Sequence, residues 1–164
     1  MSVFQLTELA VGNGTLGLCH APGRDGDYAG DLAALCAWAP DIVLTLIEDH
    51  EATKIGCASL GADLRRSDIA WAHFSIADYG IPDKQAAVSW CHLAHEIHRS
   101  LNQGGRIVIH CKGGCGRTGM IAMRLMVMCN EDAEAALTRL RMVRPCAIET
   151  EEQLIWAAPS LRGL

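Results

Sequence analysis

The sequence predicts an α/β fold, a central and mostly parallel sheet of about four to five strands flanked by helices. Three observations predict it. Short β-branched runs without polar alternation, at 41–47 and 106–110, have the composition of strands buried on both faces. Segments with helical spacing of apolar residues separate them, above all 83–102. A run of helices then closes the chain, so strands and helices alternate before the sheet ends.

Taken in order, residues 3–6 and 16–20 read as two short extended pieces, followed by a Gly- and Asp-rich loop from Pro22. Leu32, Leu35, Cys36 and Ala39 fall at helical spacing over 28–39, and Pro40 stops that helix. Residues 41–47 form the first buried strand. Two short helices fit between His50 and Arg66, and 69–76 reads as a further strand. Over 83–102, Ala87, Trp90, Ala94, Ile97 and Leu101 make one apolar stripe, which Gly104 and Gly105 terminate. Residues 106–110 are a short strand that turns through glycines into a helix over 118–129. Asn130, with Glu131 and Asp132 after it, is the expected cap of a helix reaching about Arg144, and Thr150 begins the last one. No repeat or linker divides the chain, so 1–164 is expected to be a single domain.

Composition narrows the function. A formal charge of −5 gives no support to a nucleic-acid or general membrane surface. The N-terminus lacks a signal peptide's basic start and apolar core, and 120–129 is too short to span a bilayer, so a cytoplasmic protein is expected. Eight cysteines without C-x-x-C pairs are read as reduced thiols, mostly small core residues. His92, His95 and His98 recur on one helix, but no carboxylate pattern completes a metal site, and none is expected.

One stretch carries chemistry. HCKGGCGRTG at 110–119 follows a strand and enters a helix. Cys111 and Arg117, six positions apart, are weak as a pair. Gly113, Gly114 and Gly116 change that, because they let successive backbone N–H groups point at one centre, backed by a helix N-terminus. Such a cradle binds a dianionic phosphate, and the Arg117 guanidinium adds a planar fork of donors. Those donors also favour the thiolate of Cys111, which makes it a nucleophile aimed at phosphorus. Thr118 is placed to hydrogen-bond the sulfur, and His110 to order the loop. Lys112 adds a charge at its edge. Cys115 lines the loop, and a peroxide-driven disulfide between Cys111 and Cys115 is an open expectation.

These residues resemble the signature of the protein tyrosine phosphatase superfamily. Its place in the last third of the chain is similar to the dual-specificity branch, near cyclin-dependent-kinase-associated phosphatases and their bacterial relatives. The resemblance implies the cysteine-based phosphatase fold, a phosphocysteine intermediate, and no metal or organic cofactor. FSIADYGIPD at 74–83 resembles the family's acid loop, with Ile76-Ala77 where Trp-Pro is usual. It implies Asp78 as general acid and then as the base that activates water; the rival is Asp83, which also fits a helix N-cap. RPCAIETEEQ at 144–153 resembles the late loop whose glutamine positions water, here Gln153, although Thr150 and Gln153 also spell a capping box.

The expected function is a phosphoprotein phosphatase acting on phosphotyrosine, with phosphoserine and phosphothreonine left open by unknown pocket depth. A phosphoinositide or other non-protein phosphate is the second substrate class, weakened by Cys115 where lipid phosphatases carry a lysine. A phosphoprotein-binding module without turnover is the alternative of another kind. Oligomeric state is not set by the sequence.

Overall fold

A computed structural model describes residues 3–162; the ends of the expected 1–164 domain, Met1, Ser2, Gly163 and Leu164, lie outside the described residues. Its centre is a five-stranded mixed sheet in the order β1-β2-β5-β3-β4, where β1 is Thr7–Val11, β2 Gly14–Cys19, β3 Ile42–Thr45, β4 Ala70–His73 and β5 Arg106–His110. Only β1 runs antiparallel, paired with β2; the other neighbours are parallel. The strand before residue 7 is therefore displaced from expectation. Residues 3–6 precede the sheet, because the hairpin turns at Gly12, whose φ of +59° suits glycine, and pairs Thr7 with Leu18.

Strands β2, β3 and β5 are buried almost throughout, the consequence of helices covering both faces. Those helices are α1 (Tyr28–Ala37), α2 (Asp49–Ile55), α3 (Leu60–Arg66), α4 (Ala87–Asn102), α5 (Gly116–Met128), α6 (Ala133–Val143) and α7 (Glu151–Ala157). Trp90, Ala94, Ile97 and Leu101 bury the expected face of α4, whereas Ala87 at its exposed start does not. The helix begins later than expected, after a 3₁₀ turn over Lys84–Ala86 capped by Asp83, whose Oδ1 accepts from the Gln85 N–H at 3.0 Å. Asn130 does not cap α6. It takes φ +67° at the end of α5, and Asp132 caps instead, accepting from the Ala135 N–H at 3.0 Å. Met120, Ile121, Ala122, Met123, Leu125 and Met126 are fully buried, so α5 is the central helix.

The cysteines depart from expectation. Cys115, at the N-cap of α5, is bonded to Cys146 in the α6–α7 connection, with Cα atoms 5.1 Å apart. The expected bridge of Cys115 to Cys111 is not what forms, and Cys111 is a free thiol. The bonded cysteines are 31 positions apart, so proximity arises only from the return of the chain over residues 111–117. Cys91 is also no core residue, being exposed on α4.

The bridge closes a loop around α5 and α6, which should stabilise the fold by about 2–4 kcal/mol. Urea unfolding with and without dithiothreitol measures this. Cys146→Ser should reproduce the reduced midpoint and become insensitive to the reductant.

Candidate active site

The loop 111–117 leaves β5 at the carboxyl edge of the parallel strands, where open α/β sheets form clefts. Its shape is fixed from outside. Arg144 Nε donates to the Gly114 carbonyl at 2.9 Å and Nη2 to the Gly113 carbonyl at 3.1 Å. With those carbonyls turned outward, the Gly114 N–H faces inward and lies 3.2 Å from Cys111 Sγ. Gly114 must be glycine. Its φ is +71°, and a Cβ there would fall 2.5 Å from the Cys19 carbonyl.

His110 anchors the strand end beneath. It is buried in the central strand, between Cys19 of β2 and Thr45 of β3. Its Nδ1 faces the Cys111 carbonyl at 3.2 Å, which only accepts, so Nδ1 carries the proton. Nε2 then accepts from Thr45 Oγ1 at 2.7 Å, and that hydroxyl receives the Trp71 indole N–H at 2.9 Å. Burial pushes the imidazole down to about 4, keeping it neutral.

Arg117 is 2% exposed and holds its charge through a partner that sequence reading missed. Nη1 donates to Glu51 Oε2 at 2.7 Å and Nη2 to Glu51 Oε1 at 2.9 Å, while Nη1 also reaches the Ile76 carbonyl at 2.9 Å. Burial alone would lower the guanidinium's affinity for its proton, but these bonds and the neighbouring charges raise it. Burial likewise pushes Glu51 up, and Arg117 with the Glu48 N–H outweighs it and holds the carboxyl below its ordinary value. The only local signal was the spacing of Glu48 and Glu51 at the start of α2, where the Glu48 N–H donates to Glu51 Oε2 at 2.9 Å.

Asp78 stands on the other side, Oδ1 3.1 Å from Arg117 Nη2. Arg24, Asp78, Tyr79, Lys112 and Glu149 join Cys111, Gly113, Cys115, Gly116 and Arg117 around a cleft of about 200 Å³. Asp83 does not line it. Nor does Gln153, which is buried with both ends of its amide engaged: Oε1 accepts from the Glu149 and Thr150 N–H groups at 3.0 and 3.3 Å, and Nε2 donates to the Gly80 carbonyl at 3.1 Å. It caps α7 and tethers the loop that carries Asp78. Thr118 departs from expectation too: its buried Oγ1 has no hydrogen-bond partner among the described residues, so it does not bond Cys111 Sγ here. Among the described residues no cluster of three or more His, Cys, Asp or Glu could hold a metal, and His92, His95 and His98 form none.

Two variants probe this scaffold. Glu51→Gln leaves Arg117 short of its counter-charge, and should cost about 3 kcal/mol in a urea melt. His110 binds a proton in the unfolded chain near 6.5 but only near 4 when folded, so its contribution is whole above 6.5 and lost as pH falls. Between pH 7.5 and 5 this should remove roughly 2 kcal/mol of stability. Melts of His110→Asn at both pH values should show a correspondingly smaller loss.

Comparison with known proteins places this geometry. Residues 65–160 match the family model described as protein-tyrosine phosphatase. Receptor-type tyrosine-protein phosphatase eta of Gallus gallus is 33% identical over 92 residues, 51% of this chain but only 6% of that protein. Cyclin-dependent kinase inhibitor 3 of Homo sapiens is 29% identical over 146 residues, 84% of this chain and 68% of that protein. Among solved structures, a kinase associated phosphatase whose catalytic site cysteine was changed to serine superposes with a TM-score of 0.86 at 24% identity, over 98% of this chain and 95% of the other. The active form of Tk-PTP gives 0.70 at 25%, over 91% and 92%. The chain belongs to the protein-tyrosine phosphatase family.

Proposed function

We propose that residues 1–164 form one domain, a cysteine-dependent phosphoprotein phosphatase. Family membership and the meeting of Cys111, Arg117 and Asp78 around one cleft support this reading. The observation that carries it is the Cys111 sulfur at the cleft floor, 3.2 Å from the Gly114 N–H, with the buried guanidinium beside it.

Cys111 attacks phosphorus in line with the leaving oxygen, forming a phosphocysteine. Charge builds on the equatorial oxygens, where the loop N–H groups and the free edge of Arg117 donate. Asp78 protonates the leaving oxygen. Lys112 and Arg24 add positive charge at the rim. Thr118 has no partner for its hydroxyl at rest, and the departing thiolate gives it one in the second step. The expected location is the cytoplasm; no helix among the described residues is long and apolar enough to cross a membrane. Phosphotyrosine is the favoured substrate. Tyr79, 61% exposed and lining the cleft, supplies an aromatic side chain against which a phenyl ring can pack.

Turnover of p-nitrophenyl phosphate tests the enzyme, with Cys111→Ser as the blank and a phosphopeptide and phosphoinositide panel for the substrate. Asp78→Ala should lower kcat on phosphopeptides by ~10²–10⁴-fold. An intact rate in Asp78→Ala beside a crippled Asp83→Ala would transfer the acid role. Capture of phosphopeptide without vanadate-sensitive turnover would leave a binding module in place of an enzyme.

A further inference from the structure

The α6–α7 connection holds the loop 111–117 at several points. Arg144 takes the Gly113 and Gly114 carbonyls, and Cys146 is bonded to Cys115. The Ile148 N–H donates to the Cys115 carbonyl at 3.4 Å, and Glu149 Oε2 occupies the place a Cβ on Gly116 would need. Residues 113–116 therefore all rest on residues 144–149. The connection is itself anchored, because Arg141 on α6 donates to the Ala147 and Ile148 carbonyls at 3.1 and 3.2 Å.

The loop needs this support because two adjacent glycines lie in it. A Cβ on Gly113 would meet nothing within 4 Å, so no packing limits the backbone there. Gly114 follows with φ +71°, and its N–H is the donor that faces Cys111 Sγ. Among the ties to residues 144–149, the Cys115–Cys146 bond is covalent, and thiol chemistry can cut and remake it. Cys146 is exposed, whereas Cys111 is buried.

Resting on the phosphatase reading above, we propose that Cys115 and Cys146 are positioning residues whose redox state sets the affinity of the loop for a phosphate group. With the bond formed, residues 113–116 keep the shape that binds. With it broken, the Gly113–Gly114 pair regains backbone freedom that an arriving phosphate must remove. A dithiol breaks the bond: two electrons and two protons pass to the Cys115 and Cys146 sulfurs, and the dithiol leaves as its own disulfide. A low-molecular-weight disulfide such as oxidised glutathione reverses this. The Cys146 thiolate attacks it and expels one thiolate, and the Cys115 thiolate then attacks the Cys146 sulfur of the mixed disulfide and expels the second. Cys111 takes no part in either direction, so a reductant that preserves the nucleophile also loosens the loop around it.

Calorimetric titration of inorganic phosphate into the Cys111→Ser chain reads the loop without turnover and removes any effect of reductant on the nucleophile. Fixing the backbone of one residue corresponds to about tenfold in a binding constant, so dithiothreitol should weaken phosphate binding ~10-fold. Cys111→Ser combined with Cys146→Ser should bind like the reduced chain, with or without dithiothreitol. Circular dichroism at the titration temperature separates this effect from unfolding. Equal phosphate affinity before and after reduction overturns the proposal, as does a loss that tracks the helix signal. So does mass spectrometry after alkylation that finds Cys115 and Cys146 unbonded in oxidised glutathione. Phosphate that fails to bind even with the bond intact overturns the phosphatase reading along with it.

Discussion

The buried pair of Arg117 and Glu51 is the constraint on which the site depends. Taking two full charges out of water costs several kcal/mol per ion, and only close, bidentate pairing repays it. The geometry here meets that condition, with two near-parallel bonds at 2.7 and 2.9 Å and a backbone carbonyl on a third donor. Its structural effect is to lock α2, which follows β3, to α5, which follows β5. Two adjacent parallel strands therefore deliver their following helices to one point, and the cleft lies at that point. Removing either charge would leave the other stranded, which makes the pair a commitment of the fold rather than a decoration of the surface.

The loop 111–117 rests on a second scaffold of hydrogen bonds. Outward-facing carbonyls are held by Arg144, and the strand end is held by the run from the Trp71 indole through Thr45 to His110 and the Cys111 carbonyl. Each donor in that run meets one acceptor, which is possible only while His110 is neutral. A protonated ring would turn Nε2 into a donor facing a hydroxyl that already receives the indole, with desolvation added to the cost. The loop thus combines a rigid frame with an inward N–H at Gly114.

Local patterns made the sheet and the loop legible. The unbroken apolar runs of β3 and β5, the stripe of α4 and the glycine-rich turn are each confined to a few neighbouring residues, and periodicity reports them. What escaped depends on chain segments far apart in sequence. Glu51 lies 66 residues from Arg117, and nothing near it distinguishes a buried counter-ion from one more capping carboxylate. Cys146 and Arg144 serve the loop from the α6–α7 connection, a short irregular segment with no periodicity to show that it folds back over residues 111–117. Smaller misses were competitions between similar residues. Asn130 and Asp132 both suit a cap, and the left-handed backbone at Asn130 decided for Asp132. Gln153 and Thr150 do make a capping box, and that local duty, with the bond to Gly80, holds the amide inside the fold and away from the cleft.

Charge also explains how binding and acid placement are tied in the proposed reaction. The chain carries −5 overall, yet its cleft sets Arg24, Lys112 and Arg117 against Asp78 and Glu149. Nη1 of Arg117 is committed to Glu51 and Ile76 and one Nη2 proton to Glu51, so Asp78 stands at the remaining Nη2 donor. A phosphate dianion and the Asp78 carboxylate would compete for that donor, and two anions sharing one donor repel. Glu51, by contrast, stays fixed in its bidentate pair and keeps Arg117 charged.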